Sequence, residues 1–198
     1  HHALDGCDFA SCGLKECIDK VVERSGWKDK YGKLPPSRGI GLGIGAMASG
    51  AKGVFKHDTS AAFIKIQDDG TMSLFIGLPD MGQSSHTAMA IIAAEVLGAQ
   101  PADLLRLVVG QGMSDITVIA GDTDVTPLDV GAFTQRGTFN TGNAVKAACL
   151  DARQQIAVTA AGILGVKPAR LEFRGGKIYP KGEPEKSLLF RKAVYDTL

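Results

Sequence analysis

Two alanine-rich stretches, each closed by a glycine and each preceded by an irregular segment of small and hydrogen-bonding residues, set the frame for this sequence. In Ser85–Leu97, Met89, Ile92, Ala93 and Val96 recur at helical spacing on one face, and Gly98 supplies a residue able to end the helix in the left-handed conformation. Asn140–Leu164 reads as a long second helix ending at Gly165. Helices with one apolar face need a surface to lie on, and the remaining pattern supplies strands. Ser60–Gln67 and Thr71–Leu78 flank Asp68-Asp69-Gly70, with Phe63, Lys65 and Gln67 alternating against Ala62, Ile64 and Ile66, which predicts a hairpin. Ile116–Ala120 reads as a short strand. Leu171–Phe173 and Lys177–Tyr179 form a second hairpin around Arg174-Gly175-Gly176. The expected class is α+β, a mixed β-sheet with two main helices packed on it. Residues 1–34 read as a charged lead-in with a helical piece over Gly13–Arg24, ended by Lys33-Leu34-Pro35-Pro36. Residues 35–198 read as one domain or one segment of a larger domain.

Glycines at 39, 41, 43 and 45 alternate with Ile40, Leu42 and Ile44 at the period of a strand, which places all four on one face. A dinucleotide loop requires Gly-x-Gly-x-x-Gly followed at once by a helix, and Ala46–Gly53 does not read as one. The expectation is a strand whose bare face admits another backbone or a flat ligand.

Composition narrows the partners. The 198 residues carry 22 Lys+Arg against 21 Asp+Glu, a net charge of +1, which excludes binding of nucleic acid by bulk electrostatics. No run approaches the apolar length of a membrane span, and no signal-peptide pattern is read at the start. The 25 glycines amount to roughly double the usual share of about 7%. Cys7, Cys12, Cys17 and Cys149 lack the paired spacing of a zinc or iron–sulfur site, so the expectation is reduced thiols in a cytoplasmic protein. His57 and His86 have no partner at ligand spacing, and His1 and His2 open the chain.

The chemistry concentrates in the segments that lead into the two helices, Gly77–Ser85 and Asp129–Phe139. A helix start presents unpaired N–H groups and a partial positive charge, and glycine before it lets a ligand approach the backbone. Gln83 offers donor and acceptor together, which suits a heterocycle with amide-like edges, and Arg136 offers the planar fork that suits a phosphate. The competing expectation is that Ser84 and Ser85 cap the first helix and Thr138 or Asn140 the second. Asp122, Asp124 and Asp129 read as turn chemistry around Pro127. Neither a Walker loop nor a nucleophile–base pair is found, so the residues read as a cradle for a cofactor without a catalytic group of its own.

Gly77-Leu78-Pro79-Asp80-Met81-Gly82-Gln83-Ser84-Ser85-His86-Thr87, with Ala94-Glu95-Val96-Leu97-Gly98 behind it, resembles the Gly-x-x-Asp/Glu-Met/Ile-Gly-Gln-Gly-x-x-Thr … Ala-Glu-x-Leu-Gly stretch of the xanthine dehydrogenase/aldehyde oxidase family. Gly121-Asp122-Thr123, Thr126-Pro127, Gly131–Thr138 and Gly142-Asn143-Ala144-Val145 resemble a second stretch of that family, in the same order and spacing. The lead-in looks nearest to the 4-hydroxybenzoyl-CoA reductase and nicotinate dehydrogenase branches. The resemblance implies a molybdenum–molybdopterin cofactor, expected as the cytosine dinucleotide. It makes Met81, Gly82, Gln83 and Ser84 one set of cofactor contacts and Gln135, Arg136 and Gly137 the other. It also implies a small aromatic, N-heterocyclic or aldehyde-like substrate, with hydroxylation by water-derived oxygen or reductive dehydroxylation of an aromatic thioester. Electrons would pass to iron–sulfur clusters and FAD on partner chains. The remainder of the molybdenum-binding subunit, an iron–sulfur subunit and a flavin subunit are the implied partners. The chain departs from the pattern at Ser84, where the family has glycine, and at Gln135, where it has serine. It also carries extra residues around Leu104–Ser114. No counterpart of the family's catalytic glutamate is found. A catalytically silent structural or assembly subunit is the alternative expectation.

Overall fold

The computed structural model describes residues 11–45, 50, 56–98 and 116–198. His1, His2, Cys7, most of Ala46–Gly53 and the extra segment Leu104–Ser114 lie outside the described residues. The chain divides into two units, His1–Met47 and Ala48–Leu198.

In the first unit, α1 (Leu14–Ser25) is terminated by Gly26 at φ 65°, whose N–H donates back to Glu23 O at 3.1 Å. A short α2 (Trp27–Lys30) follows, and the Trp27 and Tyr31 rings stack with centroids 4.8 Å apart. The strand expected over 39–45 does not form. The segment is irregular, and a Cβ on Gly39, Gly41, Gly43 or Gly45 would meet nothing within 4 Å. Glycine has the largest conformational entropy to lose and no side chain to pack, so period-two spacing alone does not hold it extended.

In the second unit β1 (Ala62–Ile66) and β2 (Met72–Ile76) form the expected hairpin, with Asp69 accepting from the Thr71 N–H at 2.8 Å in the turn. β3 (Ile116–Ala120) lies parallel to β2 on its other side, so the sheet is mixed and β2 is central. Three cross-strand rows face inward: Ala62–Ile76–Ala120, Ile64–Leu74–Val118 and Ile66–Met72–Ile116. The central members Leu74 and Ile76 are fully buried.

α3 (Ser85–Leu97) connects the two parallel strands and buries Met89, Ala90, Ala93, Ala94 and Leu97. The second helix begins earlier than Asn140, in a π turn (Gly137–Thr141) that runs into α4 (Gly142–Leu164). Gly142 sits where α3 and α4 meet, and a Cβ there would come within 3.0 Å of Ile92 Cδ1. Ala157, Ala160 and Ala161 keep the buried side of α4 small. The architecture is therefore the expected one, two helices on a mixed sheet.

The second hairpin, β4 (Leu171–Arg174) and β5 (Lys177–Pro180), does not join that sheet. It forms a separate antiparallel sheet with β6 (Leu188–Leu189), followed by α5 (Phe190–Tyr195). Gly98 ties it to the core. At φ 72° it ends α3, its carbonyl accepts from Gly176 N–H at 2.8 Å, and a Cβ on it would lie 2.4 Å from the Phe173 carbonyl carbon. Arg153 adds a second link, donating to Val96 O at 2.8 Å with its guanidinium 4.5 Å from the centre of the Phe173 ring.

Candidate functional site

Because β2 and β3 are parallel, their carboxyl ends emerge side by side, with Ile76 opposite Ala120. The segment after β2 leads into α3, and the segment after β3 leads into the π turn and α4. Open sheets place ligand crevices at such carboxyl ends, since the loops there converge. Two close approaches join the roots of these loops. A Cβ on Gly77 would lie 2.3 Å from Pro127 O and 2.9 Å from Asp129 N, so only glycine admits the second loop there. Further on, a Cβ on Gly137 would come within 3.1 Å of Leu78 Cδ1. The topology thus brings the Met81–Ser84 and Gln135–Gly137 segments to one edge of the sheet.

The first loop is held by its own side chains. Gln83 Oε1 accepts from the Met81 N–H at 2.6 Å, and Gln83 Nε2 donates to Pro79 O at 3.1 Å. Ser85 Oγ donates to the same carbonyl at 3.1 Å, and the His86 ring lies 3.1 Å from Leu78 O. Asp80 accepts from the Gly82 N–H at 2.8 Å. That bond is the chief cause that holds the Asp80 carboxyl below its ordinary value; desolvation opposes it, and the His86 N–H, the His86 ring and the Ser84 N–H add smaller lowering contributions. Neither Ser84 nor Ser85 caps α3 through its side chain, which corrects the capping expectation. The start of the helix is faced by Asp80 instead. Met81 is 72% exposed, and a Cβ on Gly82 would meet nothing within 4 Å, so the rim of this loop stands open.

The second loop is anchored by Arg136, and here the expected phosphate fork is corrected. The side chain is buried, and each of its five N–H groups has a partner inside the chain. Nε donates to Asp58; Nη1 donates to Asp129 Oδ1 at 2.8 Å and Gly131 O at 2.7 Å; Nη2 donates to Thr59 O and to Ser60 Oγ at 3.1 Å. Asp129, whose side chain is fully buried, accepts in addition from the Gly131 N–H at 2.8 Å, from Ser60 Oγ at 2.5 Å and from Thr141 Oγ1 at 2.9 Å. Asn140 Nδ2 donates to Asp58 Oδ1 at 2.9 Å. Asp122 makes the expected turn, accepting from Asp124 N–H at 3.0 Å, whereas Asp129 belongs to this buried ion pair. Thr138 and Asn140 do not cap α4, since the π turn precedes it.

Two of the three non-glycine residues with positive φ among the described residues lie in these loops, Ser84 at 57° and Thr134 at 49°. Such backbone persists only where its surroundings impose it, and it gathers at ligand-holding loops. With the Met81 and Gly82 N–H groups already paired to Gln83 and Asp80, the first loop offers the second Nε2 hydrogen of the Gln83 carboxamide and an unobstructed approach over Gly82, which fit the amide-like edge of a flat heterocycle. The Arg136 guanidinium and the start of α3, which would hold a phosphate, already face carboxylates of the chain itself. The sequence did not reveal Asp58 and Ser60 as members of the site. Their one signal is an acid and a hydroxyl just ahead of β1, and neither has a motif.

A parallel strand pair, two converging loops and an α3–α4 layer describe a cofactor-cradling α+β domain. The chain belongs to the molybdopterin cofactor-binding domain family, whose model matches residues 20–197. The similarity to xanthine dehydrogenases and aldehyde oxidoreductases is borne out by the relatives. The chain is 32% identical over 167 residues to the probable hypoxanthine oxidase XdhD of Escherichia coli K12, covering 83% of this chain and 16% of that protein. It is 28% identical over 195 residues to the putative xanthine dehydrogenase molybdenum-binding subunit XdhA of the same strain, covering 96% of this chain and 24% of that one. Among solved structures, quinoline 2-oxidoreductase from Pseudomonas putida 86 superposes with a TM-score of 0.58 at 25% identity, over 69% of this chain and 16% of that chain. The chain therefore spans between a sixth and a quarter of the length of these curated relatives. Among the described residues no helix is long and apolar enough to cross a membrane.

Proposed function

We propose that this chain is the cofactor-holding portion of a molybdenum hydroxylase or dehydrogenase acting on an aromatic, N-heterocyclic or aldehyde-like molecule. The observation that carries this reading is the emergence of both loops from adjacent carboxyl ends of parallel strands, in a chain of the molybdopterin-binding family. In this reading Met81, Gly82, Gln83 and Ser84 form one wall against the pterin. Gln135, Arg136 and Gly137 form the other, with Arg136 contributing its backbone. The cofactor, as the cytosine dinucleotide, supplies the two-electron chemistry at its metal. This chain's residues bind and orient it, the division of labour general to cofactor enzymes. Gln83, already fixed through Met81 and Pro79, needs no reordering to present an edge to the ligand. The remainder of the molybdenum-binding subunit, with iron–sulfur and flavin subunits, would complete the electron path in the cytoplasm.

The complex purified with this chain should contain molybdenum and a pterin nucleotide in proportion to the polypeptide. Gln83→Ala should lower the pterin content several-fold with a small change in melting temperature. A metal-free complex with full activity overturns the proposal. The second reading, a silent assembly subunit, draws on the starts of α3 and α4, where the groups expected to bind an anion face Asp80, Asp58 and Asp129. It predicts a stable complex whose cofactor content is indifferent to Gln83.

A further inference from the structure

The guanidinium of Arg136 joins three parts of the chain that are remote in sequence: Asp58–Ser60 just before β1, Asp129–Gly131, and the π turn into α4. Ser60 and Asp129 also pair as an isolated antiparallel bridge, so the two segments meet through backbone as well. Two carboxylates face the one guanidinium, so the charge of Arg136 is already answered within the chain. The residue after Arg136, Gly137, lies against the Leu78 root of the first loop.

From this we infer that Arg136 is a positioning residue. Its buried fork, locked by Asp58, Asp129 and Ser60, fixes the Gln135–Gly137 backbone against the first loop, and it does not itself touch the cofactor. The inference rests on the cofactor-holding reading and specifies how the second wall of that site is kept in place. The planar fork is essential to the role, because five acceptors in fixed directions match five N–H groups, and lysine has only three donors on one atom. Asp129 shares the role, since its two oxygens receive Arg136, Gly131, Ser60 and Thr141 together.

The test uses the intact complex containing this chain, with pterin nucleotide retained per folded polypeptide after gel filtration as the main readout. The melting temperature is measured alongside. The variants are Arg136→Lys, Asp129→Asn and the milder Ser60→Ala, which keeps the ion pair and guards against loss of folding. A positioning role predicts that Arg136→Lys and Asp129→Asn each lower retention about tenfold, the effect of roughly one charge-assisted hydrogen bond, and that the double variant is no worse than either. Ser60→Ala should lower it by a smaller factor. Retention at the wild-type level with an unchanged melting temperature in Arg136→Lys, or increased retention in Asp129→Asn, would point to a direct phosphate contact and overturn the inference. Unchanged retention per folded chain with a lowered melting temperature would show a purely structural role and overturn it as well. A wild-type complex without pterin nucleotide overturns the functional reading itself, and the wild-type measurement alone separates that outcome from the others.

Discussion

Gly137 lies against Leu78 so closely that a single added carbon would stand 3.1 Å from a leucine methyl, and Leu78 is fully buried. The two loops of the candidate site are therefore in contact at their roots before any ligand arrives. Nearby, Gly77 faces backbone, with Pro127 O at 2.3 Å from where its Cβ would stand. A side chain can give by a few tenths of an ångström, whereas a carbonyl held by the chain cannot. Gly137→Ala should cost about 1–2 kcal/mol by overpacking, and Gly77→Ala should cost more than about 3 kcal/mol. Urea unfolding of the two variants checks the order, and equal costs would remove the distinction drawn between the two contacts.

Ser84 occupies a left-handed backbone at φ 57°, at the position where the xanthine dehydrogenase pattern carries glycine. Serine bears the strain of that conformation here. Ser84→Gly should raise stability by about 0.5–1 kcal/mol, since glycine enters this region without a Cβ penalty, less its larger unfolded-state entropy. A lowered melting temperature would show that the serine hydroxyl compensates.

The Asp80 carboxyl is held below its ordinary value chiefly by the Gly82 N–H. A group with a depressed folded pKa stabilises its surroundings above the ordinary carboxylate range, and the contribution is lost as pH falls through the folded value. Acidification from about pH 5 to about pH 3 should therefore speed amide exchange at Gly82 relative to the core of β2, which is read by two-dimensional NMR. Asp80→Asn should remove that pH dependence. A pH-dependent opening that survives the substitution would assign it to another group.

Cys149 is buried in α4, and desolvation pushes its thiol up from 9.0 to about 12, while Cys12 and Cys17 are exposed. Thiolate is the reactive form, so at about pH 8 an alkylating reagent should label Cys12 and Cys17 in the native protein and reach Cys149 after unfolding. With a raised folded pKa, stability is undiminished below the ordinary thiol value and falls as pH rises from there toward 12. Cys149→Ala should flatten that alkaline decline. Rapid native labelling of Cys149 would contradict its burial.

Elements that a local pattern determines were legible in the sequence. α3 runs from Ser85 to Leu97 as the periodicity and Gly98 implied, and the β1–β2 hairpin turns where Asp69 and Gly70 stand. The Gly39–Gly45 strand failed because alternation describes a face, whereas a strand also needs a neighbour to pair with. β6 is two residues long, too short for any periodicity to register. The site divides in the same way. The loops ahead of α3 and α4 could be read from glycine and polar spacing, and their meeting follows from the parallel pairing of β2 with β3. The fate of Arg136 could not be read, because sequence shows a cation without showing the acid 78 positions upstream that claims it.

That parallel pairing also sets a timetable for folding. The β1–β2 hairpin closes over a turn of a few residues, but β3 docks only after the long excursion from Ile76 to Ile116 has been gathered in, an entropic delay that local hairpins escape. The shared rim of the two loops is thus a late product of folding, and a nascent chain has no cradle to offer until its sheet is complete. Pulse-labelled amide exchange during refolding should show protection at Phe75, within the β1–β2 ladder, before it appears at Ile119, whose N–H faces β2. Simultaneous protection would mean that both strands join in one step.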